Sequence, residues 1–190
     1  HDIIIFVDQD NDGTVEWLIE VHDKYNLRYL VNPNLNQTRF GIGKAYDECI
    51  RASNTDVVMV FHADMMLGKN ADKLAFDLLE PNKLAMVKDE PWILRRKHLW
   101  HNSGIVGFIG KPTILSLWCG AVRNNHTTDI GDQEILDKLL NPITKITYIK
   151  DLPNEYNVMR IQTEVDGYNG KIRIMHWTGK KGKDKIRSML

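Results

Sequence analysis

His62 and Asp64 are the residues of this chain best placed to do chemistry. They close an apolar run, Val57-Val58-Met59-Val60-Phe61, and stand two positions apart. An extended backbone therefore turns both side chains to one face. An imidazole and a carboxylate at a strand tip can hold a divalent cation against a phosphorylated substrate. Asn102, Asp132 and Gln133 bring amide and carboxylate groups that can bind hydroxyls or move a proton. Asp132 also stands at the start of a helical stretch, where a carboxylate can serve as a cap.

A second acidic stretch, Asp8-Gln9-Asp10-Asn11-Asp12-Gly13-Thr14, has the opening of a calcium loop. An EF-hand fails here on two counts. Position twelve, which needs a bidentate Glu, is Ile19, and the preceding segment is a β-branched strand rather than a helix. A strand-to-helix turn fits better, with Asp12 or Thr14 capping the helix and Gly13 relieving the turn. Ligands of α/β sheets bind beyond the carboxyl ends of strands. Asp8 then either accepts hydrogen bonds from a base or ribose at the rim of a site, or only organises the turn.

The elements that must position these groups alternate between strand and helix, which argues for one α/β domain. Strands are predicted at residues 3–7, 27–31, 57–61 (central, being apolar throughout), 85–87, 105–109, 146–149 and 172–175. Helices are predicted at 14–25, with Trp17, Leu18 and Val21 on one stripe, and at 43–53, 71–79, 112–118 and 132–140. Residues 88–101 are charged and aromatic and suit an ordered loop or edge element, and the basic stretch 179–190 suits a surface.

With 190 residues the chain can bury a real core as a single domain. Lys and Arg number 25, as do Asp and Glu, so no global field favours nucleic acid, and none is expected as partner. The two cysteines, Cys49 and Cys119, fit no metal spacing; free thiols in a cytoplasmic setting are the expectation. No apolar run is long enough to span a bilayer. The chain opens directly on a strand without an initiator Met, which suits a piece of a longer protein.

Five segments in order resemble motifs of the glycogenin-like glycosyltransferases (family eight). They are Phe61-His62-Ala63-Asp64-Met65, Asn102-Ser103-Gly104 with the strand that continues it, Gly131-Asp132-Gln133, Leu152-Pro153-Asn154-Glu155-Tyr156-Asn157, and His176-Trp177-Thr178-Gly179. Nearer the N-terminus, Val7-Asp8 with Asp12-Gly13-Thr14 resembles the nucleotide-binding turn of the inverting family-two enzymes, one residue short. Residues 41–52 resemble the helix before their metal strand.

The resemblance implies a single GT-A (nucleotide-diphospho-sugar transferase, Rossmann-like) domain over residues 1–190, with a mixed central sheet flanked by helices. It implies a metal-dependent, hexosyltransferase-type glycosyltransferase that takes a nucleotide sugar, UDP favoured, and a carbohydrate or glycoconjugate acceptor. Asp64 and His176 are the implied metal ligands. His62 replaces the family's first Asp and is either a third ligand or a contact to the ribose or a water. Nitrogen ligands favour Mn²⁺ over Mg²⁺.

Asn102, Asp132 and Gln133 are implied to hold the transferred sugar. Retention, the family-eight course, is the first expectation and puts Gln133 near the anomeric carbon; in the alternative, inverting reading Asp132 is the general base. Asp8, Arg39, Lys44, Ala63, Gly179 and Lys180 are the expected donor contacts, with Lys181 and Lys183 adding charge because the family's own Lys falls at Gly182. Trp92, Trp100, His101 and Trp118 form either an acceptor-stacking wall or ordinary core. Two other classes remain open at this point: an inactive UDP- or sugar-binding module, and a calcium-binding domain using Asp8, Asp10 and Asp12.

Overall fold

The computed structural model describes residues 3–8, 12–32, 41–69, 71, 78–124 and 131–189; for residues 8, 41–44, 46 and 47 it describes the backbone alone. The predicted helix 71–79 lies largely outside these residues.

The chain opens with a parallel pair, β1 (Ile3–Asp8) and β2 (Leu27–Asn32), joined by α1 (Thr14–Tyr25). The turn into α1 is built as its residue types require. Gly13 takes φ of 86°, and Asp12 Oδ1 accepts the Thr14 N–H at 2.9 Å. Of the expected stripe, only Leu18 is fully buried; Trp17 is 51% exposed and faces outward. Helix α2 (Gly41–Ala52) packs against β1 and against the later helix Thr113–Asn124.

A four-stranded mixed sheet follows, in the order β3-β6-β5-β7. It comprises β3 (Val57–Phe61), β5 (Leu84–Lys88), β6 (His101–Ile109) and β7 (Ile149–Leu152). β6 runs antiparallel to both β3 and β5, and β7 lies parallel to β5. Among the described residues β3 stands at the margin of this ladder, so the expectation of a central strand at 57–61 is corrected. The interior strands are β6, whose first eight residues are all buried, and β5. A smaller sheet joins β4 (Met65–Leu67), β9 (Ile174–His176) and β8 (Val158–Met159).

Strand alternation divides the core. Leu84, Met86, Val106 and Phe108 face α4 (Thr113–Asn124) and α5 (Asp132–Leu139). Ala85, Val87 and Ile105 face the other way, onto Leu79, Leu152, Tyr156 and Ile174. Sheet and helices thus form the mixed α/β arrangement that the alternation predicts.

Two local readings need correction, and a third, the surface placement of the basic C-terminal stretch, holds with a helix added. Residues 88–101 contain a helix, α3 (Glu90–Arg96), because Asp89 caps it and Pro91 suits its first turn. Residues 142–148 form α6 (Pro142–Tyr148), and the strand begins only at Ile149. Asn141 accepts the N–H groups of Ile143 and Thr144, both at 2.9 Å, and Pro142 starts the helix. The basic C-terminal stretch is α8 (Gly179–Arg187), and it follows the short α7 (Arg160–Glu164) in the order of helices.

Candidate active site

Backbone pairing delivers the first two candidate ligands. His62 N–H donates to Gly104 O at 2.9 Å, extending the β3–β6 ladder by one step. The chain then turns tightly, with Met65 N–H donating to His62 O at 3.2 Å. β4 leaves this turn and pairs with β9 so that Met65 stands opposite His176. Trp177 N–H donates to Asp64 O at 2.9 Å, which pins the turn to the third ligand.

The side chains converge accordingly. His176 Nε2 lies 3.1 Å from Asp64 Oδ1, and the His62 and His176 rings meet edge-on with centroids 5.7 Å apart. Each of the three residues offers one donor atom, and these atoms lie within 4.8 Å of one another. Divalent ions of the first transition row bind such atoms at about 2.1 Å, which places adjacent ligands about 3 Å apart. The Asp64–His176 spacing fits that requirement. His62 Nε2 is buried without a hydrogen-bond partner among the described residues, a costly state for a polar atom unless something occupies its lone pair. The donor set therefore fits a divalent cation, and the two nitrogens fit Mn²⁺ better than Mg²⁺.

Electrostatics prepare the same atoms. Burial is the strongest influence on the His62 imidazole and holds it below its ordinary value, against the pull of the Asp132 carboxylate. Burial works to raise the Asp64 carboxyl, but the hydrogen bond and charge of His176, with His62, outweigh it and keep Asp64 below the usual range. A neutral imidazole beside an ionised carboxylate is the ligating form of both groups.

A cleft of about 520 Å³ collects these ligands with Asn102, Asp132, Gln133 and Gly179. The Asn102-Ser103-Gly104 stretch reaches it through an irregularity of β6. Val106 pairs with Met86, but the next pair is Asn102 with Val87, so residues 103–105 have no partner on β5. Such bulges re-aim side chains beside functional sites. Asp132 is the first residue of α5, and Gly131 is the cap. Its carboxylate is not used for capping: Oδ2 is buried with no hydrogen-bond partner among the described residues. Trp118 Nε1 donates to the Asp132 carbonyl at 2.8 Å and anchors the backbone there.

Asn102 and Gln133 line the cleft, yet their amides are engaged within the protein. Gln133 Nε2 donates to Asp89 Oδ2 at 3.0 Å, and its Oε1 accepts the Ser103 N–H at 3.2 Å. Asn102 Nδ2 also donates to Asp89 Oδ2 at 3.0 Å, and its Oδ1 accepts from Gly104 N at 2.8 Å. Asp89, fully buried and part of the cleft lining, is the residue that sequence reasoning missed. Its only local signal is the Asp-Glu-Pro start of α3; its partners Asn102 and Gln133 are 13 and 44 positions away.

Gly104 explains why the smallest residue follows Asn102-Ser103. A Cβ there would stand 2.4 Å from His176 Cε1 and 2.6 Å from Met65 Cε. Gly104→Ala is expected to push the His176 ring off Asp64. Overpacking of this kind costs about 1–3 kcal/mol. The expected readout is a lowered thermal midpoint together with weaker Mn²⁺ uptake by calorimetry; an unshifted midpoint with full uptake would show that the ring has other room.

The donor contacts expected from sequence are placed unevenly. The side chains of Asp8 and Lys44, and Arg39 altogether, lie outside the described residues, as does Asp10. Ala63 is exposed at the turn between the two ligands. Gly179 lines the cleft and opens α8 with φ of 73°, a conformation natural to glycine. Lys180, Lys181 and Lys183 are exposed, and the charge of Lys183 reaches His62. Gly182 can carry no side chain, because a Cβ would meet the Trp177 carbonyl oxygen at 2.1 Å.

The aromatic wall separates into core and cleft. Trp100 and Trp118 are buried, and His101 is buried with Nε2 2.8 Å from Asp151 Oδ1. Trp92 alone of the four lines the cleft, 43% exposed, with the Arg96 guanidinium 4.6 Å from its ring centre.

Solved structures of related architecture carry this fold. One is a glycosyltransferase involved in glycosylation of the major capsid of PBCV-1, with a TM-score of 0.61 at 11% identity and 100% of both chains covered. Another is the glycosyltransferase GlyE of Streptococcus pneumoniae TIGR4, with a TM-score of 0.58 at 15% identity. That match covers 95% of this chain and 56% of GlyE, so the chain spans little more than half of GlyE's length. The chain thus has a fold of the GT-A class. More narrowly, it belongs to Glycosyl transferase family 2, whose family model matches residues 1–102. That match takes in the His62–Asp64 strand end as well as the N-terminal turn. No curated protein matches the chain.

Proposed function

We propose that this chain moves a sugar from a nucleotide-sugar donor, UDP-linked by preference, to a hydroxyl of a carbohydrate or glycoconjugate acceptor. In this reading the transfer depends on a divalent cation, Mn²⁺ above Mg²⁺, held by His62, Asp64 and His176. The observation that carries it is the shared cleft: three convergent ligand atoms and an unspent Asp132 carboxylate face the same space. A cation held there supplies Lewis-acid neutralisation of the charge that builds on the departing nucleoside diphosphate. The Gly179 backbone N–H, at the first turn of α8, and the neighbouring Lys180 and Lys183 are suited to the donor phosphates.

Asp132 is suited to take the proton from the acceptor hydroxyl as it attacks, which would invert the anomeric configuration. Two observations favour this over the retaining course. Both ends of the Gln133 amide are bound within the protein, so the side chain is not free to approach an anomeric carbon. The family to which the chain belongs is the one whose inverting members the N-terminal turn resembles. Asn102, Gln133 and Asp89 then act as the frame that holds the cleft, and Trp92 offers an indole to the acceptor sugar. The expected setting is the cytoplasm, where Cys49 and Cys119, which form no disulfide among the described residues, stay reduced.

The test is release of free nucleoside diphosphate from a panel of nucleotide sugars, with Mn²⁺ and with EDTA. Mn²⁺-dependent release from at least one donor is the expected result. Tight UDP binding with no release from any donor would instead indicate a binding module without transfer activity.

A further inference from the structure

His176 has two ring nitrogens, and only one can face the other ligands. Nε2 lies 3.1 Å from Asp64 Oδ1, while Nδ1 lies 2.9 Å from Asn157 Oδ1. Which nitrogen carries hydrogen depends on which end of the Asn157 amide meets the ring. That choice is made elsewhere. The Gly104 backbone N–H can only donate, so the Asn102 atom 2.8 Å from it is the oxygen. The same oxygen lies 2.8 Å from Asn157, which must therefore turn its NH₂ toward Asn102.

Asp89 fixes the opposite end of Asn102 independently. Its Oδ2 takes the Asn102 and Gln133 amide donors, each at 3.0 Å, and its Oδ1 takes the Trp92 N–H at 3.2 Å. Facing donors on both oxygens, Asp89 requires the Asn102 NH₂ and not its oxygen. With its own NH₂ committed to Asn102, Asn157 presents its carbonyl to His176. The ring must then donate from Nδ1, so Nε2 is the nitrogen left to face Asp64 and His62. Every member of this chain is buried, Asp89 and Asn157 completely. Buried hydrogen bonds of this kind polarise one another, so each orientation dictates the next.

We propose that Asn157 is a positioning residue for cation binding. Oriented by Asp89 through Asn102, its amide holds His176 as the Nδ1–H tautomer and keeps Nε2 available as a ligand. The proposal rests on the reading of His62, Asp64 and His176 as a cation site, and adds how one ligand is kept ready. Outer partners of metal-bound histidines typically contribute 10–100-fold in metal affinity.

Two measurements test it. In ¹⁵N-labelled wild-type protein at pH 8 without metal, long-range ¹H–¹⁵N correlation should show hydrogen on His176 Nδ1; a bare Nδ1 overturns the proposal. In calorimetric titration with Mn²⁺ alone, Asn157→Leu should bind about 10–100-fold more weakly than wild type. Asn157→Asp, which keeps an acceptor for Nδ1 but loses the donor to Asn102 Oδ1, should bind more weakly than wild type and more tightly than Asn157→Leu. Equal binding by Asn157→Leu, or equal loss by both variants, overturns the proposal while the cation site stands. No Mn²⁺ uptake by the wild type overturns the site and the proposal together. If the variants do not fold, the wild-type spectrum decides alone.

Discussion

Asp132→Asn is expected to lower turnover by about 10²–10⁴-fold, the usual contribution of a positioned general base. UDP affinity in Mn²⁺ should stay close to that of the wild type. The split follows from the geometry. The Asp132 carboxylate faces the cleft with Oδ2 unspent, and no hydrogen bond of the α5 cap depends on it. The amide that replaces it keeps the shape but gives up a proton-accepting oxygen. The backbone carbonyl that receives the Trp118 indole N–H is untouched, so α5 stays where it is. Steady-state kinetics with a saturating donor, paired with UDP calorimetry, separate the two effects. Near-normal turnover would remove Asp132 from the reacting groups and reopen the retaining course.

Asp64→Ala should act on the other half of the split. UDP affinity in Mn²⁺ is expected to fall on the order of 100-fold or more, since the metal's electrostatic contribution is worth several kcal/mol. In EDTA the two proteins should bind UDP alike. Asp64 is the one carboxylate among the three clustered ligands, and His62 and His176 bring no negative charge to replace it. The fold should survive, because the turn is held by backbone bonds from Met65 to His62 and from Trp177 to Asp64, which alanine retains. Unchanged UDP affinity in Mn²⁺ would place the cation elsewhere or dispense with it.

Much of this was legible in the sequence because it was written in periodicity and in short motifs. The apolar run ending in His62 and Asp64 marked β3 to the residue, and the 14–25 stretch marked α1 equally well. The convergence of Asp64 with His176, 112 positions later, followed from the order of motifs rather than from any local property, and the β4–β9 pairing supplies it physically. What stayed hidden was polar structure inside the core. His101, Asn102 and Ser103 begin a buried strand that hydrophobic patterning cannot recognise, because their partners come from distant parts of the chain. Asp89 was hidden for the same reason: a lone carboxylate before a Pro reads as a helix cap, and only the fold reveals the two amides it holds. The misplaced strand at 146–149 has a simpler origin. Its β-branched residues outweighed the Asn141-Pro142 helix start, and local capping won over propensity.

The three convergent ligand atoms do not belong to one sheet. His62 hangs from the rim of the four-stranded sheet, whereas His176 ends a strand of the smaller one, and Asp64 sits in the short connection between. Whatever grips all three is a rivet driven through a seam. Under the proposed reading, occupancy of the cation site and cohesion of the two sheets would become one equilibrium.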